Sequence, residues 1–370
     1  MEFKEKSILL LSPQSWNHLW VSKHHFAIEL ANLGNLVYYF SPPEHGLLPI
    51  IKLKRYEASK NLFLVEIKIP LPLILRHKFT SLYKKLIKFL INRFVKKNQV
   101  KIDVIWDFDV NNTFYLSEKE SVYQNSIKIF QPVDLNTGHR FYGKSPDIIL
   151  SVSDSILNQY SYLKTKSHNL GHSVSPVFNR GTYKFKDKES LSFGFAANFN
   201  KPFIDWETIA LLSDSFPEHQ FYLFGPFSLE NTMSNFSKAN FMMLLKRVNV
   251  HFVGSLAKEV LAKQFHEMDG LFMFYNKYKN ENNNSNSHKI LEYLITGKPI
   301  ITNSLKYYKD KDELITMTDE DAKPENILLV FSRFVKELPK LSTNEKQYYR
   351  TSYASKFTYL SQIKEIERLI

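Results

Sequence analysis

Glu292 and the polar residues just ahead of it are the side chains of this 370-residue chain whose types and spacing point most directly to chemistry. Residues 285–304 read S-N-S-H-K-I-L-E-Y-L-I-T-G-K-P-I-I-T-N-S. Ile290, Leu291, Leu294 and Ile295 fall on one helical stripe, and His288 and Glu292, four apart, share a strip at its border that can face a cleft. Gly297 suits the left-handed conformation that ends a helix, and Pro299, Ile300 and Ile301 then read as the start of a buried strand. At the other end, the amides of Ser285, Asn286 and Ser287 lack helical partners. They present partial positive charge to an anion, with Lys289 two positions beyond Ser287.

The same residues carry a resemblance. The run K-I-L-E-Y-L-I-T-G-K-P-I-I resembles the Lys-x-x-Glu-Tyr-Leu-x-x-Gly-Lys-Pro-Val-Val signature of GT-B glycosyltransferases, in particular the retaining glycosyl transferases group 1 family. The resemblance implies that Glu292 holds the ribose hydroxyls of a nucleotide-sugar and that the amides of Ser285, Asn286 and Ser287 hold its diphosphate. Many retaining members place another glutamate eight positions earlier, against the donor sugar. This chain has Asn284 there, which leaves the sugar contact open while the family as a whole implies retention of configuration.

Such a site needs two domains to build a cleft, and the length is long for one hydrophobic core. A hydrophobic content of 44% with 23% charged residues is that of a globular protein, and no apolar run reaches the eighteen residues a membrane span requires. The N-terminus M-E-F-K-E-K-S-I-L-L-L-L-S-P has acids before a very short apolar run, so it reads as a first strand and not a signal peptide. Zero cysteines exclude disulfides and thiolate metal sites, and the expected location is cytoplasmic, with peripheral contact at the inner face of the membrane.

That last expectation comes from the charge. The net +12 is concentrated in residues 76–101, where Arg76, Lys78, Lys84, Lys85, Lys88, Arg93, Lys96, Lys97 and Lys101 occur without one acid. Leu82, Leu86, Phe89, Leu90, Arg93 and Phe94 repeat there at helical spacing and predict a basic amphipathic helix. Three readings compete: a solvated helix packed on its own domain, one docked on an anionic membrane surface, or one that binds nucleic acid. A nucleic-acid partner is not expected, because no nucleic-acid motif accompanies the charge.

Around these segments the chain shows two halves of similar grammar. Strands are predicted at 7–11 and 36–40 with a helix over 23–33 between them, a βαβ opening whose loop carries Asn17 and leads to Lys23 and His24. Asn17, Lys23 and His24 are its candidate polar contacts, against a plain helix-cap reading, and Asn17 and His24 are the expected acceptor-side contacts. The family's corresponding loop is often glycine-rich, and this one has no glycine. Further strands are predicted at 103–106, 127–133 and 147–152. I-F-Q-P-V-D and S-P-D-I-I-L-S-V-S-D-S-I-L resemble the family's strand ending in an acid or histidine and its following Ala-Asp-x-Val-x-x-x-Ser strand and helix. Asp134 is accordingly expected as an acceptor-side base or orienting group, against a plain turn or cap. Residues 171–178, G-H-S-V-S-P-V-F, resemble the family's His-Gly-Val-Asp crossover, with Ser173 in place of the glycine.

Residues 179–190 are polar and aperiodic and form the expected linker. A second βαβ unit follows, with strands at 192–196 and 220–224 and a helix over 205–216. It resembles the family's Gly-Tyr-x-Gly, Asp-Trp and Leu-x-Gly-Pro sequence through Asp205-Trp206 and Gly225-Pro226. Lys201 lies in the loop where relatives carry a cation for the diphosphate, and a lysine there would stabilise charge growing on the leaving group. Asn198 shares that loop. N-V-H-F-V-G-S-L at 249–256 resembles the strand and turn that hold the nucleotide base, which adds Ser255 to the donor contacts. One continuous helix is predicted over 343–370.

Two aspartates, Asp107 and Asp109, form an Asp-x-Asp of the kind that holds a metal-bound nucleotide-sugar in an unrelated fold, but nothing else resembles that fold, and no metal site is expected. Walker, dinucleotide and Gly-x-Ser-x-Gly fingerprints are absent. The expectation is therefore an α/β protein of GT-B type, with Rossmann-like domains at 1–180 (acceptor) and 191–345 (donor) facing each other across a cleft and a helix at 346–370 crossing back. It would move a sugar from a nucleotide-sugar to a lipid-linked or oligosaccharide acceptor without a cofactor. The alternative is a non-catalytic module of the same fold that binds a nucleotide-sugar or a partner enzyme.

Overall fold

The computed structural model describes residues 2–17, 20–70, 78–116, 123, 125–134, 144–227, 235–276 and 288–370, with 235–238 and 240 described by backbone alone. The chain divides into two compact units. One joins Met1–Gly171 to Tyr359–Ile370, and the other is His172–Thr358.

The first unit opens with β1 (Ser7–Leu11), α1 (Ser22–Asn32) and β2 (Leu36–Phe40), and continues through β3 (Glu44–His45), β4 (Ile50–Arg55), β5 (Leu62–Ile69) and α2 (Thr80–Lys97). Then come β6 (Val104–Asp107), β7 (Ile127–Phe130), β8 (Ile148–Ser151), α3 (Asp154–Asn158) and β9 (Ser167–Asn169). The sheet runs β3-β5-β2-β1-β6-β7-β8-β9. Its central strands are parallel and buried on both faces, which is why they read as unbroken apolar runs such as Ile8-Leu9-Leu10-Leu11. Strand order reverses between β1 and β6, because the chain first builds outward through β2 and β5 and then returns to the other side of β1.

Two expectations change here. β7 stops at Phe130, short of the predicted 133, since Pro132 has no N–H to offer a ladder; Asp134 therefore lies in the loop beyond the strand and does not end it. The basic helix also faces differently. Tyr83, Ile87, Leu90, Ile91 and Phe94 are its buried residues, with Phe94 edge-on to Tyr38 and Phe40 of the sheet. Leu82 and Phe89, predicted for the buried stripe, are 58% and 59% exposed. The helix is turned by about one residue, roughly 100°, from the face the spacing suggested.

The second unit contains β10 (Ser192–Ala196), α4 (Trp206–Ser215), β11 (Gln220–Phe224), α5 (Asn235–Leu244), β12 (Val250–Gly254), α6 (Lys258–Glu267) and β13 (Gly270–Met273). It continues through α7 (His288–Leu294), β14 (Ile300–Thr302), β15 (Thr316–Met317), α8 (Pro324–Leu341) and α9 (Asn344–Ser355). Its sheet, β12-β11-β10-β13-β14-β15, is parallel throughout and reverses order between β10 and β13. The core is strongly aromatic: Phe193, Phe221, Phe331 and Phe334 pack ring to ring where α8 covers the sheet. Gly297 has φ +76° and ends α7 as predicted, and its carbonyl accepts a 3.0 Å hydrogen bond from Nε of the buried Arg350.

The helix predicted over 343–370 is two helices. After α9, the Val174 amide donates to the Phe357 carbonyl at 2.9 Å and Thr358 bridges Val174, which pulls the backbone out of helical geometry. The last helix, α10 (Tyr359–Leu369), belongs to the first unit. There Tyr359 stacks on His25 and meets Phe26 edge-on, Ile363 and Ile366 are fully buried, and Glu367 Oε1 accepts from the Phe3 amide at 2.5 Å.

Candidate functional site

In an open parallel sheet, the crevice at the reversal of strand order is where the loops leaving two neighbouring strands diverge and leave room for a ligand. In the second unit that point lies at the carboxyl ends of β10 and β13. Three loop starts are locked together beside it. The Ala197 amide donates to the Phe224 carbonyl at 3.0 Å, and the Gly225 amide donates to the Gly254 carbonyl at 2.8 Å. Gly225 has φ +143°, and a Cβ on it would stand 1.8 Å from the Ala197 carbonyl oxygen, so only glycine fits.

Helix α7 is tied to the same place. Tyr293, fully buried, accepts a 2.8 Å hydrogen bond from the Ala196 amide through its phenol oxygen, and burial pushes that phenol well above its usual range. Its neighbour Glu292 is half-buried. Lys258, Tyr275 and Tyr293 feel the Glu292 carboxylate, and Lys289 lies three residues before it on α7. Burial lowers the Lys258 amine, and the Glu292 carboxylate opposes that shift, whereas Lys289 adds to it. Tyr275, two residues beyond β13, is driven upward first by burial and then by Glu292.

The structure thus brings together Glu292 and Lys289 with a cation that the sequence reading missed. Lys258 is the first residue of α6, in a helical first turn where acids are electrostatically favoured, and that inversion was its only sequence signal. Asn198 and Lys201 are exposed on the loop after β10: Asn198 Oδ1 accepts from the Asn200 amide at 3.1 Å, and its carbonyl accepts from the Lys201 amide at 3.1 Å. Ser255 is exposed just beyond β12. Asp205 caps α4, accepting from the Thr208 amide at 3.0 Å. Asn284, Ser285, Asn286 and Ser287 lie outside the described residues.

A pocket of about 580 Å³ opens nearby, lined in part by Asp205, Glu207, Asp319, Glu320 and Asp321. None of the described residues expected to hold a donor lines it, and its carboxylates would repel a diphosphate.

In the first unit Asn17 and Asp134 are exposed. His24 is not. It is fully buried, its Nδ1 accepts from the Val21 amide at 3.1 Å, and its Nε2 lies 3.1 Å from the Tyr39 hydroxyl and 3.2 Å from the Ser15 carbonyl. With both ring nitrogens engaged by the protein, His24 holds the loop after β1 and is corrected from acceptor contact to loop anchor. The Asp-x-Asp is likewise occupied. Asp107 pairs with the buried Lys144, whose ammonium also sits 4.5 Å from the Phe130 ring centre, and Asp109 accepts from the Asn111 and Thr113 amides at 2.9 and 2.5 Å.

Lys23 is 1% exposed, and burial lowers its amine to about 8 from 10.5, with Asp134 and Asp109 opposing the shift. The unfolded chain therefore binds the proton more tightly, so stability rises as pH climbs from about 8 to about 10.5. Lys23→Met is expected to stabilise the protein by roughly 2–3 kcal/mol at pH 7, an advantage that shrinks across that window. Urea unfolding of both proteins between pH 7 and 10.5 measures it, and a gap that does not change with pH would contradict the assignment.

No protein-family model and no curated protein matches the sequence. Solved structures do. The chain is similar to sucrose-phosphate synthase from Thermosynechococcus elongatus over 98% of each chain, at 12% identity and a TM-score of 0.64. It is similar to WaaG, a glycosyltransferase involved in lipopolysaccharide biosynthesis, over 98% of this chain and 99% of that one, at 14% identity and a TM-score of 0.59. It is also similar to Anabaena HepE in complex with UDP-glucose, over 98% and 100% respectively, at 12% identity and a TM-score of 0.60. These likenesses show the fold, which is GT-B.

Proposed function

We propose that this protein is a glycosyltransferase that moves a sugar from a nucleotide-sugar to an acceptor hydroxyl, with retention of configuration, in the assembly of a surface polysaccharide or glycolipid. The observation that carries the reading is the grouping of Glu292 and Lys289, on the helix that follows β13 at the strand-order reversal of the second unit, with Lys258 of α6. The UDP-glucose held by HepE, a protein of the same fold, supports a nucleotide-sugar as the donor. In this reading Glu292 accepts hydrogen bonds from the ribose hydroxyls. Lys201, Lys258 and the amides of Ser285, Asn286 and Ser287 compensate the diphosphate, whose charge grows as the glycosidic bond breaks. Asp134 orients the acceptor hydroxyl. The nucleotide-sugar is itself the substrate, so the reaction uses no resident cofactor, and lysines with helix amides provide the compensation a metal ion gives elsewhere.

A thermal-shift screen of nucleotide-sugars identifies the donor: the matching one should raise the melting temperature, and the protein should then release nucleoside diphosphate from it slowly even without acceptor. A shift without release would favour the non-catalytic module, and no shift from any donor would remove the reading.

The acceptor reading gains from α2. Its outer face alternates apolar and basic residues, with Phe79, Leu82 and Phe89 exposed beside Lys85, Arg93 and Lys96. No helix among the described residues is long and apolar enough to cross a membrane, but this face suits an anionic bilayer surface at the cytoplasmic side, where a lipid-linked acceptor would lie. Co-sedimentation with vesicles containing phosphatidylglycerol should fall at least about tenfold in a Leu82→Ser, Phe89→Ser double variant, since two large apolar groups leave the interface. Unchanged sedimentation would assign the face to solvent.

A further inference from the structure

Among the buried cations that the proposed function does not use is Lys23. Lys23, in the first turn of α1, is 1% exposed, yet among the described residues no acceptor hydrogen-bonds or ion-pairs with its ammonium, which lies 5.9 Å from the centre of the Phe108 ring. Both nearby acids fall short as counter-ions. Asp109 is engaged with the backbone amides of Asn111 and Thr113, and Asp134 is exposed and acts only through its longer-range field. Among the described residues no acceptor meets the amides of Ser22 and Lys23, and the N-cap residue Val21 has no side-chain oxygen to cover them.

The position is as telling as the burial. α1 starts on the loop leaving β1, and Phe108 and Asp109 directly follow β6, so Lys23 stands at the strand-order reversal of the first unit. An ammonium out of water with no hydrogen-bonded acceptor among the described residues is unfavourable even within the fields of Asp134 and Asp109, and a ligand oxygen would relieve it. A sugar hydroxyl would restore a hydrogen bond but not the charge. An oxyanion restores both.

We propose that Lys23, with the open amides of the first turn of α1, is the specificity-determining contact for an acceptor that carries an oxyanion, either phosphate or carboxylate, near the hydroxyl that receives the sugar. This rests on the reading of the first unit as the acceptor side. Burial leaves the amine at about 8, so the group is still cationic at neutral pH.

Calorimetric titration of the full chain tests this with farnesyl phosphate and glucuronate, each against its uncharged counterpart, farnesol and glucose, and with UDP. Wild type should bind one charged probe at least about tenfold more tightly than its counterpart, the gain expected of one charge-assisted hydrogen bond. Preference for farnesyl phosphate identifies a phosphate as the source, and preference for glucuronate a carboxylate. Lys23→Met and Lys23→Gln should both lose that preference and keep UDP affinity, whereas Glu292→Ala should keep the preference and lose UDP affinity. The proposal fails if no charged probe binds wild type, if the preference survives in both Lys23 variants, or if UDP affinity falls with Lys23 and so assigns the ammonium to the donor. A Glu292→Ala variant that still binds UDP would overturn the donor reading and leave the Lys23 result standing.

Discussion

Replacing Glu292 with alanine is expected to lower kcat/KM for the donor by about 10²- to 10⁴-fold. A carboxylate that accepts from two ribose hydroxyls makes two charge-assisted hydrogen bonds worth roughly 1.5–3 kcal/mol each. Their loss leaves Lys258 facing no carboxylate at this position, which adds to the penalty. Because the ribose is remote from the bond being broken, most of the loss should appear in KM, with a smaller fall in kcat as the diphosphate is held less well. Glu292→Gln keeps the shape and should recover part of the activity. Initial rates of nucleoside diphosphate release measure all three proteins, and an alanine variant within about threefold of wild type would remove Glu292 from the donor site.

Gly225→Ala should destabilise the second unit by about 3 kcal/mol or more, because the new methyl group would overlap a backbone carbonyl and not a side chain that could swing aside. Ala197 cannot retreat without breaking its bond to the Phe224 carbonyl. The loop carrying Asn198 and Lys201 would shift with it, so donor binding should weaken together with the melting temperature. Gly34→Ala is the internal comparison: its φ is +90° but nothing lies within 4 Å of a Cβ there, and the cost should be only the conformational penalty of about 1–2 kcal/mol. Equal melting temperatures for the two variants would show that the close approach at Gly225 is relieved by a small shift.

These sites differ in how plainly the residues declared them. Buried parallel strands announce themselves because both faces are apolar, and the runs at 7–11, 192–196 and 220–224 match β1, β10 and β11 residue for residue. β4 did not announce itself. As an outer strand with the pattern Ile50-Ile51-Lys52-Leu53-Lys54-Arg55 it has no clean alternation, and only its antiparallel pairing to β5 defines it. The face of α2 was misread because both sides of the helix carry large apolar residues, and the sheet, not the helix, chose between them. Glu292 was legible from its local motif, whereas Lys258, Lys23 and the Asp107–Lys144 pair depend on contacts between distant segments. A lysine in a helix reads as solvated until the tertiary fold encloses it.

The division of the chain has a consequence for how it comes to be folded. The first unit is interrupted by the whole of the second and is completed only by α10, whose Tyr359, Ile363 and Ile366 are buried among Phe26, Trp106 and their neighbours. During synthesis the second unit can therefore close as soon as Thr358 has emerged, while the earlier-made sheet waits with an apolar face uncovered. The N-terminal half is the last to mature, and that interval is when it is most open to chaperones or to aggregation.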